Sequence, residues 1–335
     1  MVSSSDSRLD ELRQWVSARL DVRDAALERA SEDASFRRYF RIRIDSASWI
    51  AMDAPPERED SAPFVKVAHL MREAGVHVPR VIAQDLARGY LLLSDLGTTT
   101  YLKALDEDNA DTLFADAIDA LIKWQLASQA SVLPPYDEAL LRRELELFPE
   151  WYLARHLKLE LDAAQRESLE DVFARLVRSG LSQPRVYVHR DYMPRNLMLS
   201  EPNPGVLDFQ DTVYGPITYD VVSLFRDAFI SWPEERVLDW SARYWERAKK
   251  AGLPVHADFG AFYRDFEWMG LQRHLKVLGI FARINYRDGK PGYLEDTPRF
   301  LDYVRPVATR YAELGGVLAL LDAIEQRRPR AAYTF

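Results

Sequence analysis

The sequence predicts an α+β fold of two lobes, a small β-rich N-terminal lobe (1–96) and a large, mostly helical C-terminal lobe (97–335). Three observations carry this. Residues 36–54 alternate apolar and polar positions with the period of a strand, around a short turn. After Gly97 the chain turns to helix formers over 100–178 and is helical again from Ile217 almost to the end. Strand-like segments return only at Val186–Val188, Leu197–Leu199 and Val206–Leu207, around a polar loop.

Taken in order, Leu9, Leu12, Val16 and Leu20 recur at helical spacing over 6–20. Phe40, Ile42 and Ile44 alternate with Arg41 and Arg43. Trp49, Ile50 and Met52 follow the Asp-Ser-Ala-Ser turn, so the segment reads as a hairpin that Pro55 and Pro56 end. Phe64–Ala74 is a short helix stopped by Gly75. Val81–Gln84 and Tyr90–Leu93 are two further strands, and the lobe boundary falls near Ser94–Gly97. The helical part is broken at Leu133-Pro134-Pro135 and Pro149. There are no internal repeats and no low-complexity segment.

Bulk properties narrow the function. A net charge of -8 disfavours nucleic acid as a partner, because such proteins need clustered basic charge to displace counterions from phosphates. An acidic protein can still bind ATP when magnesium and a few local cations neutralise the phosphates. With no cysteine there is no disulfide, thiolate nucleophile or Cys-ligated metal. The first residues lack the basic flank and apolar run of a signal peptide, and stretches such as Val317–Ile324 are too short to span a bilayer. A cytoplasmic, membrane-free monomer is expected.

His189-Arg190-Asp191-Tyr-Met-Pro-Arg-Asn196 carries the chemistry. It is the H-R-D-x-x-x-x-N pattern of kinase catalytic loops. Phosphoryl transfer has a loose transition state, so the protein mainly positions groups and balances charge. Asp191 can orient the acceptor hydroxyl and take its proton. Asn196 can offer an amide oxygen to magnesium, and Asp208, in Val206-Leu207-Asp208-Phe209, stands at a strand end where a second metal carboxylate is needed. A lone H-R-D occurs by chance. Here it coincides with the Asn spacing, the later Asp-Phe and a preceding β lobe, which together predict a kinase with Asp191, Asn196 and Asp208 as its catalytic residues, the last two as metal ligands.

The segment VHRDYMPRNLMLSEPNPGVLDFQDTVYGPITYD resembles the aminoglycoside phosphotransferase and choline kinase family. The stretches DASFRRYFR, MDAPP, AGVHVPR, LLLSDLG, FPEWYLARHL and QRHLKVLGIFARI resemble, more narrowly, the anomeric sugar kinases of bacterial cell-wall recycling. The resemblance runs from about residue 31 to residue 296. It implies a bilobal, protein-kinase-like fold. The implied activity is ATP- and magnesium-dependent (Mg2+) phosphorylation of N-acetylmuramic acid and N-acetylglucosamine at the anomeric hydroxyl, giving the α-1-phosphate. It also implies that Asp220 is a buried acceptor for the catalytic-loop backbone, and that the connector Leu93-Ser94-Asp95-Leu96 meets adenine through backbone groups.

The chain departs from the protein-kinase pattern in two places. The first hairpin begins with Asp33-Ala-Ser-Phe-Arg-Arg-Tyr39 and has no glycine. Met52 or a neighbour stands where a strand lysine would be. A cation for the ATP phosphates is sought among Arg37, Arg38, Arg41 and Arg43, with Arg38 and Arg43 put forward; solvated strand arginines are the other reading. If the apolar face of their strand packs on the 64–74 helix, the arginines face nucleotide or solvent.

For the acceptor, Phe148, Trp151 and Tyr152 form an aromatic cluster that suits stacking on a sugar or ordinary helix packing; Trp151 is the candidate contact. Gln272, Lys276, Gly279 and Arg283 make one stripe on a helix, and its glycine wants the close approach of a ligand or of another helix. Lys276 and Arg283 are the candidates for a muramic acid carboxylate. His274 lies off the stripe and reads as a packed histidine. Asp211 is a metal-site neighbour or a turn residue. The alternatives are a kinase of another small alcohol (an aminoglycoside, choline or homoserine) and a non-catalytic kinase-like module, against which intact Asp191, Asn196 and Asp208 argue.

Overall fold

The structure is a computed structural model that describes residues 7–31 and 36–327, so residues 33–35 of the first hairpin's entry lie outside it. The chain runs α1 (Ser7–Leu20), β1 (Glu28–Ser31), β2 (Arg38–Ile44), β3 (Ala47–Asp53), α2 (Ala62–Glu73), β4 (Val81–Asp85), β5 (Tyr90–Ser94), α3 (Tyr101–Ala104) and α4 (Ala110–Leu126). It continues through α5 (Glu138–Leu145), a π-helical segment (Phe148–His156), α6 (Ala163–Ser182), β6 (Arg185–Val188), β7 (Leu197–Met198), β8 (Gly205–Val206) and β9 (Val213–Pro216). The last part holds α7 (Tyr219–Phe225), α8 (Glu234–Ala251), α9 (Phe259–Asp288), α10 (Thr297–Arg310) and α11 (Gly315–Arg327). The α+β class and the β-then-helix order match the expectation. β1 and β9 were not legible: β1 is only Glu-Arg-Ala-Ser, and β9 ends in Gly215-Pro216.

Backbone contacts group the chain into two units. One holds residues up to 124 together with 194–211; the other holds 125–193 and the chain from 212 onward. This is a different division from a boundary at 96/97. The 194–211 hairpin joins the strand-bearing unit because its backbone is bonded there: Val206 N–H donates to His77 O at 2.7 Å and Leu199 N–H to Thr99 O at 2.9 Å.

In the strand-bearing unit a five-stranded antiparallel sheet has the order β1-β2-β3-β5-β4. Its apolar face closes on α1, where Leu12, Trp15 and Val16 meet Phe40, Ile42, Ala51, Tyr90 and Leu92. The packing considered from sequence, β2 against the 64–74 helix, is corrected: the N-terminal helix covers that face. α2 instead buries Phe64, Val67, Ala68 and Met71, with Phe64 against Phe209 at 4.7 Å.

In the helical unit α9 is the central element: all residues from Phe266 to Gly279 are buried. A helix of 30 residues buried along much of its length needs polar side chains that find partners inside. Gly279 allows the π-helical segment to approach, since a Cβ there would stand 2.3 Å from the carbonyl carbon and oxygen of Leu147. Of the two readings of this glycine, the neighbouring helical segment is the one present. Among the described residues no helix is long and apolar enough to cross a membrane.

Alanine forms helix better than glycine by about 1 kcal/mol, yet Gly279→Ala would place its Cβ inside the Leu147 carbonyl. The substitution is expected to lower the unfolding free energy by about 2 kcal/mol or more, measured by urea denaturation. Unchanged or increased stability would show that the π-helical segment can withdraw freely.

Candidate active site

β6 delivers the chain into His189-Arg190-Asp191, and the turn there is fixed from inside the helical unit. Asp220, fully buried at the start of α7, accepts the N–H of His189 at 2.7 Å through Oδ2 and the N–H of Arg190 at 2.9 Å through Oδ1. Burial pushes its carboxyl up to about 7, against the two N–H donors, which favour the charged form. Arg190 sits at φ +77°, a left-handed conformation that non-glycine residues rarely adopt. The Asp191 N–H donates to His189 Nδ1 at 3.2 Å and its carbonyl accepts the Met193 N–H at 2.9 Å, so the loop is bonded on both sides of the carboxylate.

Asn196 and Asp208 lie in the strand-bearing unit. Asn196 closes a short 3₁₀ turn, and its carbonyl accepts the Leu207 N–H at 2.9 Å, which lays the two strand ends side by side. Asn196 Nδ2 is 3.3 Å from Asp208 Oδ2, and Gln210 Nε2 donates to Asp208 Oδ1 at 2.8 Å. Asp208 too has a positive φ, +63°, which Asp tolerates better than most residues. With its nitrogen turned to Asp208, Asn196 offers an amide oxygen beside a carboxylate. Magnesium takes hard oxygen ligands, usually one or two carboxylates with waters and substrate phosphates, so this small donor set fits it. Among the described residues there is no cluster of three or more His, Cys, Asp or Glu that would instead suit a caged metal.

The candidate phosphate cations all have acidic partners. Arg38 holds the buried Asp53, with Nε at 2.9 Å from Oδ2, and Arg8 shares that carboxylate at 2.7 Å. Arg43 is exposed and pairs with Glu28 across β1–β2. Arg37 pairs with Glu59 at 2.9 Å. Arg41 clamps the connector, with Nε 2.6 Å and Nη2 3.0 Å from the Asp95 carboxylate and Nη2 2.7 Å from Gly97 O. Met52 is fully buried on β3. In the connector, Leu93 and Leu96 are buried, and the Ser94 hydroxyl accepts the Arg80 N–H at 2.8 Å. A groove of about 930 Å³ opens beside the connector, lined by Arg72, His77, Asp116, Lys123 and the loop 199–204. Its lining includes Ser94, Asp95 and Leu96 but neither Asn196 nor Asp208.

The α9 stripe points inward over its first half. Gln272 Nε2 donates to Glu144 Oε2 at 3.2 Å, and Lys276 Nζ lies 2.9 Å from Glu144 Oε1 and 2.9 Å from the Tyr219 hydroxyl. Lys276 is thus a buried, paired cation. Arg283, one turn beyond Gly279, is half-buried and makes no hydrogen bond or ion pair with another described residue; its Nε is buried without a partner. Phe148 and Tyr152 are core residues stacked on each other at 5.6 Å, whereas Trp151 is half-buried with Arg155 over its ring at 5.4 Å. His274 is packed against Tyr303 and Phe300, and burial with Arg273 and Arg226 nearby holds its imidazole neutral. Asp211 is exposed.

Sequence reasoning missed Glu144. Its carboxylate also takes the Arg190 guanidinium at 2.6 Å and the Tyr136 hydroxyl. The available signal was an acid on the apolar face of α5, between Leu141 and Leu145.

Comparison with known proteins gives the family. The chain matches the family described as "Phosphotransferase enzyme family" over residues 26–259. The chain belongs to that family. This phosphotransferase is 56% identical over 331 residues to the N-acetylmuramate/N-acetylglucosamine kinase of Pseudomonas putida, covering 95% of the chain and 98% of the relative. It is 49% identical to the kinase of the same name from Neisseria meningitidis serogroup B, covering 97% and 98%. Its fold is similar to choline kinase LicA from Streptococcus pneumoniae (TM-score 0.63, 13% identity, 91% of this chain and 100% of that one). It is also similar to ADP-bound aminoglycoside phosphotransferase APH(2'')-Ib (TM-score 0.58, 14% identity, 88% and 97%).

Burial alone would raise the Glu144 carboxyl, but Lys276, Arg190 and Tyr136 outweigh it and bring it down to about 2 from an ordinary 4.5. A depressed carboxyl contributes stability that is complete above pH 4.5 and is lost as pH falls through about 2. Between those limits the protein is expected to lose on the order of 3 kcal/mol more than a Glu144→Gln variant does, read from urea unfolding at each pH. Parallel losses in the two proteins would show that the carboxyl is not held low.

Proposed function

We propose that this phosphotransferase moves the γ-phosphoryl group of ATP, with magnesium, onto the anomeric hydroxyl of N-acetylmuramic acid and N-acetylglucosamine. The product is the α-1-phosphate, and the reaction belongs to peptidoglycan recycling in the cytoplasm. The observation that carries the substrate is the 56% identity, over nearly the whole chain, to kinases of that name. Intact Asp191, Asn196 and Asp208 support the reaction class. In this reading Asp191, held on a turn that Asp220 anchors, accepts the hydroxyl proton as the sugar oxygen attacks phosphorus. Asn196 and Asp208 would hold magnesium, which when bound neutralises charge on the phosphates. The connector 93–96 meets adenine. Arg38 and Arg43, each already bonded to an acid, would have to share that bond to touch a phosphate, so the metal ligands carry more of the phosphate binding than the strand arginines do.

Trp151 and Arg283 form the acceptor side of the proposal. Arg283 continues the face of α9 that begins at Lys276, about 10 Å along the axis, and Glu150 beside Trp151 acts on it electrostatically. A guanidinium without an acidic partner suits the lactyl carboxylate that N-acetylmuramic acid has and N-acetylglucosamine lacks.

The direct test is phosphorus NMR, with proton coupling, of the product made from ATP and N-acetylglucosamine. Coupling to the anomeric proton is expected, and Asp191→Asn should lower its rate of formation roughly 100-fold or more while MgATP affinity by calorimetry stays near wild type. A 6-phosphate, or turnover by the variant above about a tenth of wild type, would overturn the reading. Arg283→Gln should cut catalytic efficiency on N-acetylmuramic acid roughly 10- to 100-fold and spare N-acetylglucosamine. Equal effects on both sugars would remove Arg283 from the pocket.

A further inference from the structure

We propose that Glu144 is a positioning residue for Asp191: through its bond to the Arg190 guanidinium it fixes the turn that presents the catalytic carboxylate. The inference rests on the reading of Asp191 given above and adds to it a residue on α5, 46 positions before Arg190 and outside the H-R-D motif.

Four side chains from three separate parts of the helical unit end on this one carboxylate. Arg190 comes from the catalytic loop, Lys276 and Gln272 from α9, and Tyr136 from the loop before α5. Glu144 itself is buried, and Lys276 is bonded onward to Tyr219 at the start of α7, next to Asp220. Arg190 is therefore held twice, its N–H by Asp220 and its guanidinium by Glu144, in a backbone conformation that costs an arginine energy. With either hold released, a turn at φ +77° has reason to relax, and Asp191 is the next residue.

The charges point the same way. One carboxylate faces two cations, so the cluster carries one positive charge more than Glu144 neutralises. Asp191 acts electrostatically on both Arg190 and Lys276, and so completes the balance from the loop side. A buried ion cluster of this kind seldom adds stability over well-packed apolar side chains. It does hold side chains in one geometry, and rate falls steeply when a catalytic group shifts by about 1 Å.

The test is a double-mutant cycle on kcat with N-acetylglucosamine, using Glu144→Gln, Arg190→Met and the double variant, with Asp191→Asn as control. Each single variant should lower kcat roughly 10- to 100-fold with KM for ATP unchanged within about two-fold. The double variant should be no slower than the slower single one, because both remove the same hold. Losses that multiply, or a KM for ATP that rises in step with the loss of kcat, would make Glu144 a general packing residue and overturn the proposal. So would wild-type kcat in Glu144→Gln. Should Glu144→Gln fail to fold, the double variant keeps the cluster's wild-type net charge and is compared with Arg190→Met alone: equal kcat supports the proposal and a further loss overturns it. If Asp191→Asn itself keeps full turnover, the reading of Asp191 fails; if it is inactive while Glu144→Gln is not impaired, only the role of Glu144 fails.

Discussion

Asp220 accepts two consecutive backbone N–H groups, those of His189 and Arg190, and the geometry of the loop that carries Asp191 depends on that pair of bonds. A loop that leaves its strand to present a carboxylate cannot also satisfy its own backbone by regular pairing. Its buried N–H groups need an acceptor from elsewhere, or each costs about as much as a lost hydrogen bond. Asp220 supplies that acceptor from the first turn of α7, itself buried on every side chain from Tyr219 to Phe225. Burial of the carboxyl is unfavourable for its charge, and the two N–H bonds offset this only in part. The same logic repeats one layer further in, where Glu144 receives the side chain of the residue whose backbone Asp220 holds.

The strand-bearing unit shows a second use of paired charge. The arginines of the first hairpin are engaged by Glu59, Asp53, Asp95 and Glu28, so their contribution is to tie strands and connector together. Arg41 is the most specific of them, since its planar fork meets both Asp95 oxygens and the Gly97 carbonyl, which fixes the connector's course as it leaves β5. In the proposed function the metal ligands would therefore carry more of the nucleotide's charge than a strand cation would.

α9 divides its polar residues between two tasks. Gln272 and Lys276 face inward to Glu144, while Arg283, past the contact of Gly279 with Leu147, makes no ion pair among the described residues. A single stripe at helical spacing therefore holds a buried network at one end and an unpartnered guanidinium at the other. The π-helical segment that runs beside it buries Phe148 and Tyr152 and leaves Trp151 half-exposed, as the wider turn of a π-helix shifts consecutive side chains off one face.

The sequence by itself determined the kinds of element and the chemistry. The strand period at 36–54, the helical spacing of α1, the glycine stop of α2 and the H-R-D-x-x-x-x-N loop all depend on local pattern, and local pattern is what a sequence displays. The placement of Asp191, Asn196 and Asp208 in their loop and hairpin was readable for that reason, as was the family. Only the tertiary structure decided partners. Alternation shows that Arg41 and Arg43 share a face of β2, but not that Asp95 and Glu28 wait there, nor that α1 rather than α2 covers the opposite face. Helical spacing aligns Lys276 with Arg283, but whether each meets water, ligand or a buried acid depends on what α5 and the π-helical segment bring against α9. Those contacts join residues more than a hundred positions apart, such as Glu144 with Gln272, and no local period encodes them.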